Sequence, residues 1–279
     1  MKELLMCPPK YLSTTIVNNI WMLDLPQKER EINLDAALEQ FMALYTIITN
    51  HALIYLLPPT PGLQDQTYAT NPACVLPHIK DKTAVISHFR ADGRVGEEWV
   101  ALDFLETLGY TCYTPPAYFE GEGELKWIRD NQYIASYGLF TSYATLDWIE
   151  KAFDAEIIKL EATDNYLYHV DCFIFPVDSD TILACKDVIN ENDWELLNKE
   201  LNVINVALED CYEGITNSLR IEDTIYNGVV HDESPATIHK NKALTEIAST
   251  LSLDSCFVDI DEFTKSGALL SCMFLHLKR

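Results

Sequence analysis

Segments with helical spacing of apolar residues alternate with segments of β-type composition from one end of this chain to the other. This alternation limits its fold more than any other feature and places it in the α/β class. Residues 34–50 (LDAALEQFMALYTIITN) read as an amphipathic helix behind an Asn33 N-cap. TAVISHF (83–89) reads as a strand, and EEWVALDFLETLG (97–109) as a helix stopped by Gly109. YIASYGLF is strand-like, and ATLDWIEKAFDAE (144–156), NDWELLNKEL (192–201) and NKALTEIASTLS (241–252) are helical. DNYLYHVDCFIFPVDSDTILAC (164–185) reads as two strands around Val177–Asp180, and CFVDI (256–260) and ALLSCMFLHL (268–277) as closing strands. No internal repeat is visible. No low-complexity segment or long linker divides the chain, so a single domain over 1–279 is expected.

Charge and cysteine usage narrow the function. The formal net charge of −23 repels phosphate backbones, which argues against a nucleic-acid partner and would draw in a cation; solubility alone would also account for it. Eight cysteines show no C-x-x-C spacing and lie mostly in apolar runs, the pattern of a reducing compartment. The apolar run of MKELLMCPPKY is too short for a secretory signal, and no stretch approaches the ~20 apolar residues of a membrane span. A cytoplasmic protein is expected. No glycine-rich phosphate loop occurs, and His51, His78, His88, His231, His239 and His276 lack metal-ligand spacing, so neither a cofactor nor a metal is expected.

Three stretches carry residues able to do chemistry. In a strand, His169 and Asp171 would share one face, either as a core histidine with a structural partner or as a general base beside a cation-holding carboxylate. In AYFEGEGELKWI, Glu120, Glu122 and Glu124 alternate with glycines, which permit positive φ and close backbone approach. Cys272 lies in the apolar tail. It is either an inert buried thiol or a nucleophile, with His169 as the candidate base.

Together these segments resemble the guanidino-modifying enzyme superfamily of pentein fold, which includes arginine deiminase, dimethylarginine dimethylaminohydrolase, arginine dihydrolases and amidinotransferases. The family's N-P-W-M is matched by Asn19-Ile20-Trp21-Met22, and DQTYATNPACVL places Asn71 at the guanidinium-facing position. SHFRADGRVGEEW resembles F-R-x-x-x-R-x-x-E through Phe89, Arg90, Arg94 and Glu97. FEGEGELKW resembles F-E-G-x-G-D with Glu124 for the last aspartate, YHVDCFIFPV the H-x-D strand, and SGALLSCMFLHL the strand carrying the nucleophilic cysteine. The six segments follow family order over the full length.

The resemblance implies five ββαβ modules in a five-bladed α/β propeller with pseudo-fivefold symmetry. It implies Cys272 as nucleophile and His169 as acid/base, with Glu120 and Asp171 orienting the histidine and binding a small cationic guanidino substrate. Carboxylates clamp a planar guanidinium bidentately, and a thiolate attacking its central carbon forms a thiouronium intermediate. Deiminases of the family carry aspartate where this chain has Asn71, whereas dihydrolases carry asparagine. An amide both donates and accepts, so it can hold a neutral ureido group for a second attack. The favoured reading is therefore an arginine dihydrolase giving ornithine, ammonia and carbon dioxide. The alternatives are a citrulline-forming deiminase or dimethylaminohydrolase, an amidinotransferase, and a non-catalytic binding protein. In the family's G-x-R-T segment this chain has Gly138-Leu139-Phe140-Thr141. Phe140 replaces the arginine that grips a substrate carboxylate, leaving Arg90, with Asn19, as the candidate. Self-association into a homo-oligomer is left open.

Overall fold

The computed structural model describes residues 1–229 and 234–279. The elements run β1 (Lys2–Met6), α1 (Ile20–Asp24), α2 (Leu34–Ile48), β2 (Ala52–Leu56), β3 (Ala73–Val75), β4 (Thr83–Ile86), α3 (Glu97–Thr107) and β5 (Thr111–Tyr113). They continue with β6 (Leu125–Arg129), β7 (Gln132–Tyr137), α4 (Tyr143–Phe153), β8 (Glu156–Glu161), β9 (Ile174–Pro176), β10 (Thr181–Ala184), α5 (Glu191–Glu200) and β11 (Asn202–Asn205). The last are α6 (Leu208–Tyr212), β12 (Leu219–Ile221), β13 (Thr224–Val229), α7 (Pro235–Thr250), β14 (Asp254–Asp259), α8 (Asp261–Thr264) and β15 (Leu275–Lys278).

These strands form five small open sheets of three strands each, ordered β15-β1-β2, β3-β4-β5, β6-β7-β8, β9-β10-β11 and β12-β13-β14. In every sheet the middle strand pairs antiparallel with one neighbour and parallel with the other. A parallel pair needs a crossover, and a helix supplies it each time: α2, α3, α4, α5 and α7. The fold is mixed α/β, and one ladder pattern recurs five times although no repeat was visible in the sequence. Each unit spends few residues on strands, so shared spacing is weak.

Local chemistry explains the helices. Asn33 caps α2 by accepting from the Ala36 N–H, and Ala37, Phe41, Leu44 and Ile48 form its buried stripe. Leu108 caps α3, and Gly109 follows it at φ +83°. Helix α7 begins at Pro235, six residues before the expected start, because Ser234 caps it and proline fits its first turn. Middle strands are buried on both faces, as in Ala84-Val85-Ile86 and Ile182-Leu183-Ala184, so they read as continuous apolar runs.

Two expected strands are corrected. Of 164–185 only Ile174–Pro176 and Thr181–Ala184 are strand; His169 precedes a 3₁₀ turn over Val170–Cys172. The Cys172 N–H donates to the His169 carbonyl and the Phe173 N–H to Val170, bonds that a strand cannot make. His169 and Asp171 therefore do not share a strand face. Cys272 likewise lies in a 3₁₀ turn over Ser271–Met273, ahead of β15. Both segments are aromatic and apolar because they are buried, and β-type composition reports burial as much as backbone form. Among the described residues no helix is long and apolar enough to cross a membrane.

Leu275 on β15 is fully buried opposite Leu5 of β1, in a core cluster with Leu57, Ile86 and Leu105. Leu275→Ala should cost about 2–5 kcal/mol, read as a lower urea midpoint with an unchanged slope.

Candidate active site

A tight turn precedes the first strand of each ladder. Asn71 ends the turn before β3, and Gly121–Gly123 form the turn before β6. Val170–Cys172 precede β9, Gly214–Asn217 precede β12, and Ser271–Met273 precede β15. Hydrogen bonds link these turns in a closed ring. The Thr70 N–H donates to the Cys272 carbonyl (3.1 Å) and the Glu122 N–H to the Thr70 carbonyl (2.9 Å). The Val170 N–H donates to Glu124 Oε2 (3.4 Å) and Thr216 Oγ1 to the Cys172 carbonyl (2.6 Å). The Ser271 N–H donates to Asn217 Oδ1 (2.8 Å), which completes the ring.

The ring collects most of the residues singled out in the sequence. Cys272, His169, Glu120, Asn71, Asn19 and Phe140 line one narrow cavity of about 30 Å³. His169 Nε2 is 2.9 Å from Glu120 Oε2, and its Nδ1 is 3.5 Å from Asn71 Nδ2. The Phe140 ring packs edge-on against both His169 and Tyr168 at 5.4 Å. A Cβ on Gly123 would meet Asn71 Nδ2 at 2.7 Å; one on Gly121, at φ +63°, would meet the Asn71 carbonyl at 2.4 Å. The alternating glycines are thus what lets the glutamate turn touch Asn71.

Three candidates lie elsewhere. Arg90 sits in an outer vestibule of about 700 Å³ and donates to the Leu139 carbonyl. Glu124 lies beneath the cavity, accepting from Ser136 and the Val170 N–H. Asp171 approaches the Cys272 turn from the other side: its Oδ2 accepts from Ser271 Oγ at 2.9 Å, with Lys126 Nζ at 3.6 Å.

Sequence reasoning missed Asp65, Arg94 and Asn217 as site residues. Asp65 is buried in the cavity wall, accepting from Asn18 and Gln64 through Oδ2. Arg94, buried and paired with Glu97 at 2.6 Å, donates to the carbonyls of Asp65 (3.4 Å) and Tyr68 (3.5 Å) and so fixes that loop. Asn217, 1% exposed, directs Nδ2 at Cys272 Sγ (3.5 Å). Its Oδ1 accepts from the Ser271 N–H (2.8 Å) and from the Cys272 S–H (3.8 Å), so the amide offers the thiol an acceptor and a thiolate a donor. A signal existed: Thr70-Asn71 and Thr216-Asn217 each stand just before a first strand.

Burial dominates the electrostatics. It pushes the Cys272 thiol up to about 12, reinforced by the Asp171 charge and opposed by the Asn217 donor. Burial alone would lower His169, but the hydrogen bond to Glu120 and the charges of Glu124, Glu120 and Asp171 outweigh it and raise its pKa. Burial lifts Glu124 to about 7, against His169 and Ser136 and with the help of Glu120 and Asp171. Glu120 Oε1 and Asp65 Oδ1 are buried without a hydrogen-bond partner among the described residues. Two orphaned carboxylate oxygens in one narrow slot suit a flat cation with several N–H donors. Among the described residues, which exclude His231, no cluster of three or more His, Cys, Asp or Glu could hold a metal.

No protein-family model matches the chain. It is 26% identical over 281 residues to the bifunctional arginine dihydrolase/ornithine cyclodeaminase AgrE of Nostoc sp., covering 98% of this chain. It spans only 37% of that relative's length. The fold matches the N-terminal domain of ArgZ, an arginine dihydrolase from the ornithine-ammonia cycle in cyanobacteria, with TM-score 0.89 at 24% identity. That match covers 100% of this chain and 98% of the other. A cysteine-to-serine variant of that domain is bound to substrate, and an asparagine-to-serine variant is covalently bound to a reaction intermediate. A dimethylarginine dimethylaminohydrolase matches with TM-score 0.73 at 15% identity, covering 99% of each chain.

With its thiol held near 12, Cys272 should react with iodoacetamide at pH 7.5 at least about a hundredfold more slowly than free cysteine. Peptide mapping by mass spectrometry follows the alkylation, and a rate equal to that of free cysteine would contradict the geometry.

Proposed function

We propose that this member of the guanidino-modifying superfamily hydrolyses the guanidinium of arginine in two rounds, giving ornithine, two ammonia and carbon dioxide. The observation that carries this reading is the cavity where Cys272, His169 and Asn71 meet the orphaned oxygens of Glu120 and Asp65. The arginine dihydrolase activity of the relatives agrees with it. The ring of five linked turns supports a further reading: five ββαβ modules about a pseudo-fivefold axis, in one domain over 1–279. A cytoplasmic location fits its free thiols.

In the resting site Cys272 is a thiol, and the raised pKa of His169 favours imidazolium. A guanidinium bound between Glu120 and Asp65 adds positive charge beside the sulfur and lowers its pKa, and the proton leaves to solvent. The thiolate attacks the central carbon, a C–S bond forms, and the His169 imidazolium protonates the departing nitrogen as ammonia. Neutral His169 then takes a proton from water, whose oxygen attacks the thiouronium carbon. The C–S bond breaks and the electron pair returns to sulfur, where Asn217 Nδ2 donates to the thiolate. This round yields a ureido group. Asn71 holds it for a second attack, which expels a second ammonia and leaves a thiocarbamate that water hydrolyses to carbon dioxide and the free amine. Asp171 acts through Ser271 and by its charge, from behind the turn.

A second reading concerns the substrate's tail. The vestibule is largely apolar around Phe140, and Arg90 already donates to Leu139. A substrate without a free carboxylate, such as agmatine or a peptidyl arginine, fits that wall.

Incubation with arginine should give ornithine and ammonia by mass spectrometry, with all turnover lost in Cys272→Ala. Asn71→Asp should lower ornithine formation by about 10- to 100-fold and let citrulline accumulate, as expected for losing one hydrogen bond to a neutral group. Citrulline as the sole product of the wild type would make the protein a deiminase. Turnover of agmatine or an arginine peptide alone would assign specificity to Phe140. Turnover that needs an acceptor amine would indicate an amidinotransferase, and no turnover at all a binding protein.

A further inference from the structure

Behind Asp171 lies a second cavity, of about 70 Å³, which shares no lining residue with the first. Four cationic side chains converge on it from separate parts of the fold: Lys2 on β1, Lys126 on β6, Arg220 on β12 and Arg279 after β15. Among the described residues two carboxylates, Glu122 and Asp171, line the cavity with them. Glu122 already accepts from the His276 N–H (2.9 Å), from His276 Nδ1 (2.6 Å) and from Arg279 (2.7 Å). Asp171 accepts from Ser271, and the Lys126 ammonium stands 3.6 Å away, beyond hydrogen-bond range. Lys2 Nζ donates to the Arg220 carbonyl at 2.7 Å, one acceptor for three N–H groups.

Arg220 also donates to the carbonyls of Val177 (2.9 Å) and Glu222 (3.0 Å) and pairs with Asp178 at 3.5 Å. Four cations thus stand against three acids among the described residues, still a local excess of positive charge in a chain of net charge −23. The excess is felt within the cavity. Burial and the charges of Arg279 and Arg220 bring Lys2 down to about 8, against the pull of Glu122. His276 contributes no charge at neutral pH, because burial holds it near 4. A negative ion would relieve the repulsion and occupy the unused donors.

We propose that this cavity binds a small oxyanion of the phosphate, sulfate or bicarbonate class, held by Lys2, Lys126, Arg220 and Arg279. Its volume suits one such ion and excludes a nucleotide. The bound ion joins the first strand, the chain end after the last strand, and strands β6 and β12. It therefore binds the folded protein only and raises its melting temperature by mass action. The site does not depend on the reaction assigned to Cys272.

Thermal unfolding at pH 7, where Lys2 is protonated, tests this with phosphate, sulfate and bicarbonate in turn, at ionic strength fixed with sodium chloride. The expected result is a saturable rise in Tm, equal in wild type and Cys272→Ala, with the strongest of the three ions naming the ligand. Lys2→Met and Arg220→Gln should each weaken the apparent affinity by about tenfold, as for one lost charge-assisted hydrogen bond. Should Arg220→Gln fail to fold, Lys2→Met, a half-buried residue at the start of β1, carries the comparison. A rise no larger than chloride alone produces, or one that both variants keep in full, overturns the proposal.

Discussion

The ring of hydrogen bonds through the five turns is the constraint on which the site depends. Each link joins a different pair of ladders, and no turn before a first strand stands alone. Cys272 is held twice, by its carbonyl to Thr70 and by the Ser271 N–H to Asn217. Its strand, β15, also pairs antiparallel with β1, with Leu5 opposite Leu275. Cys272 is thus placed by contacts fifty-four to two hundred and seventy residues apart in sequence. Contacts of such long range form late in folding, after the intervening loops have closed.

Legibility in the sequence followed the range of the interaction. Helices were readable because caps and apolar period are local: Asn33 and Gly109 mark ends that the structure keeps. The turns carrying His169 and Cys272 were not readable, because burial gives turn and strand the same apolar, aromatic composition. The residue types for the chemistry were legible through the resemblance, and the cavity brings Cys272, His169, Glu120 and Asn71 together. Which carboxylates face that cavity was not legible. Asp65 opens the segment DQTYATNPACVL, which was read for Asn71 alone, and Asp171 lies on the far side, where its Oδ2 accepts from Ser271. Asn217 escaped notice because its task is set by the Ser271 N–H, a partner fifty-four residues away.

Overall charge proved a poor guide to local charge. The acidic balance suggested a field that attracts cations, yet what marks the first cavity is two carboxylate oxygens without donors. Asp171 and Ser271 separate that slot from a pocket dominated by lysine and arginine. Two cavities of different charge character thus lie on either side of the Ser271–Met273 turn, which no net charge reveals.

The burial of the Cys272 sulfur has a consequence beyond turnover. Peroxides and electrophiles attack thiolates, and burial favours the thiol form of this sulfur. The idle protein is therefore less open to oxidation at Cys272 than at an exposed cysteine. Its vulnerability is greatest in the moments when a cation occupies the slot.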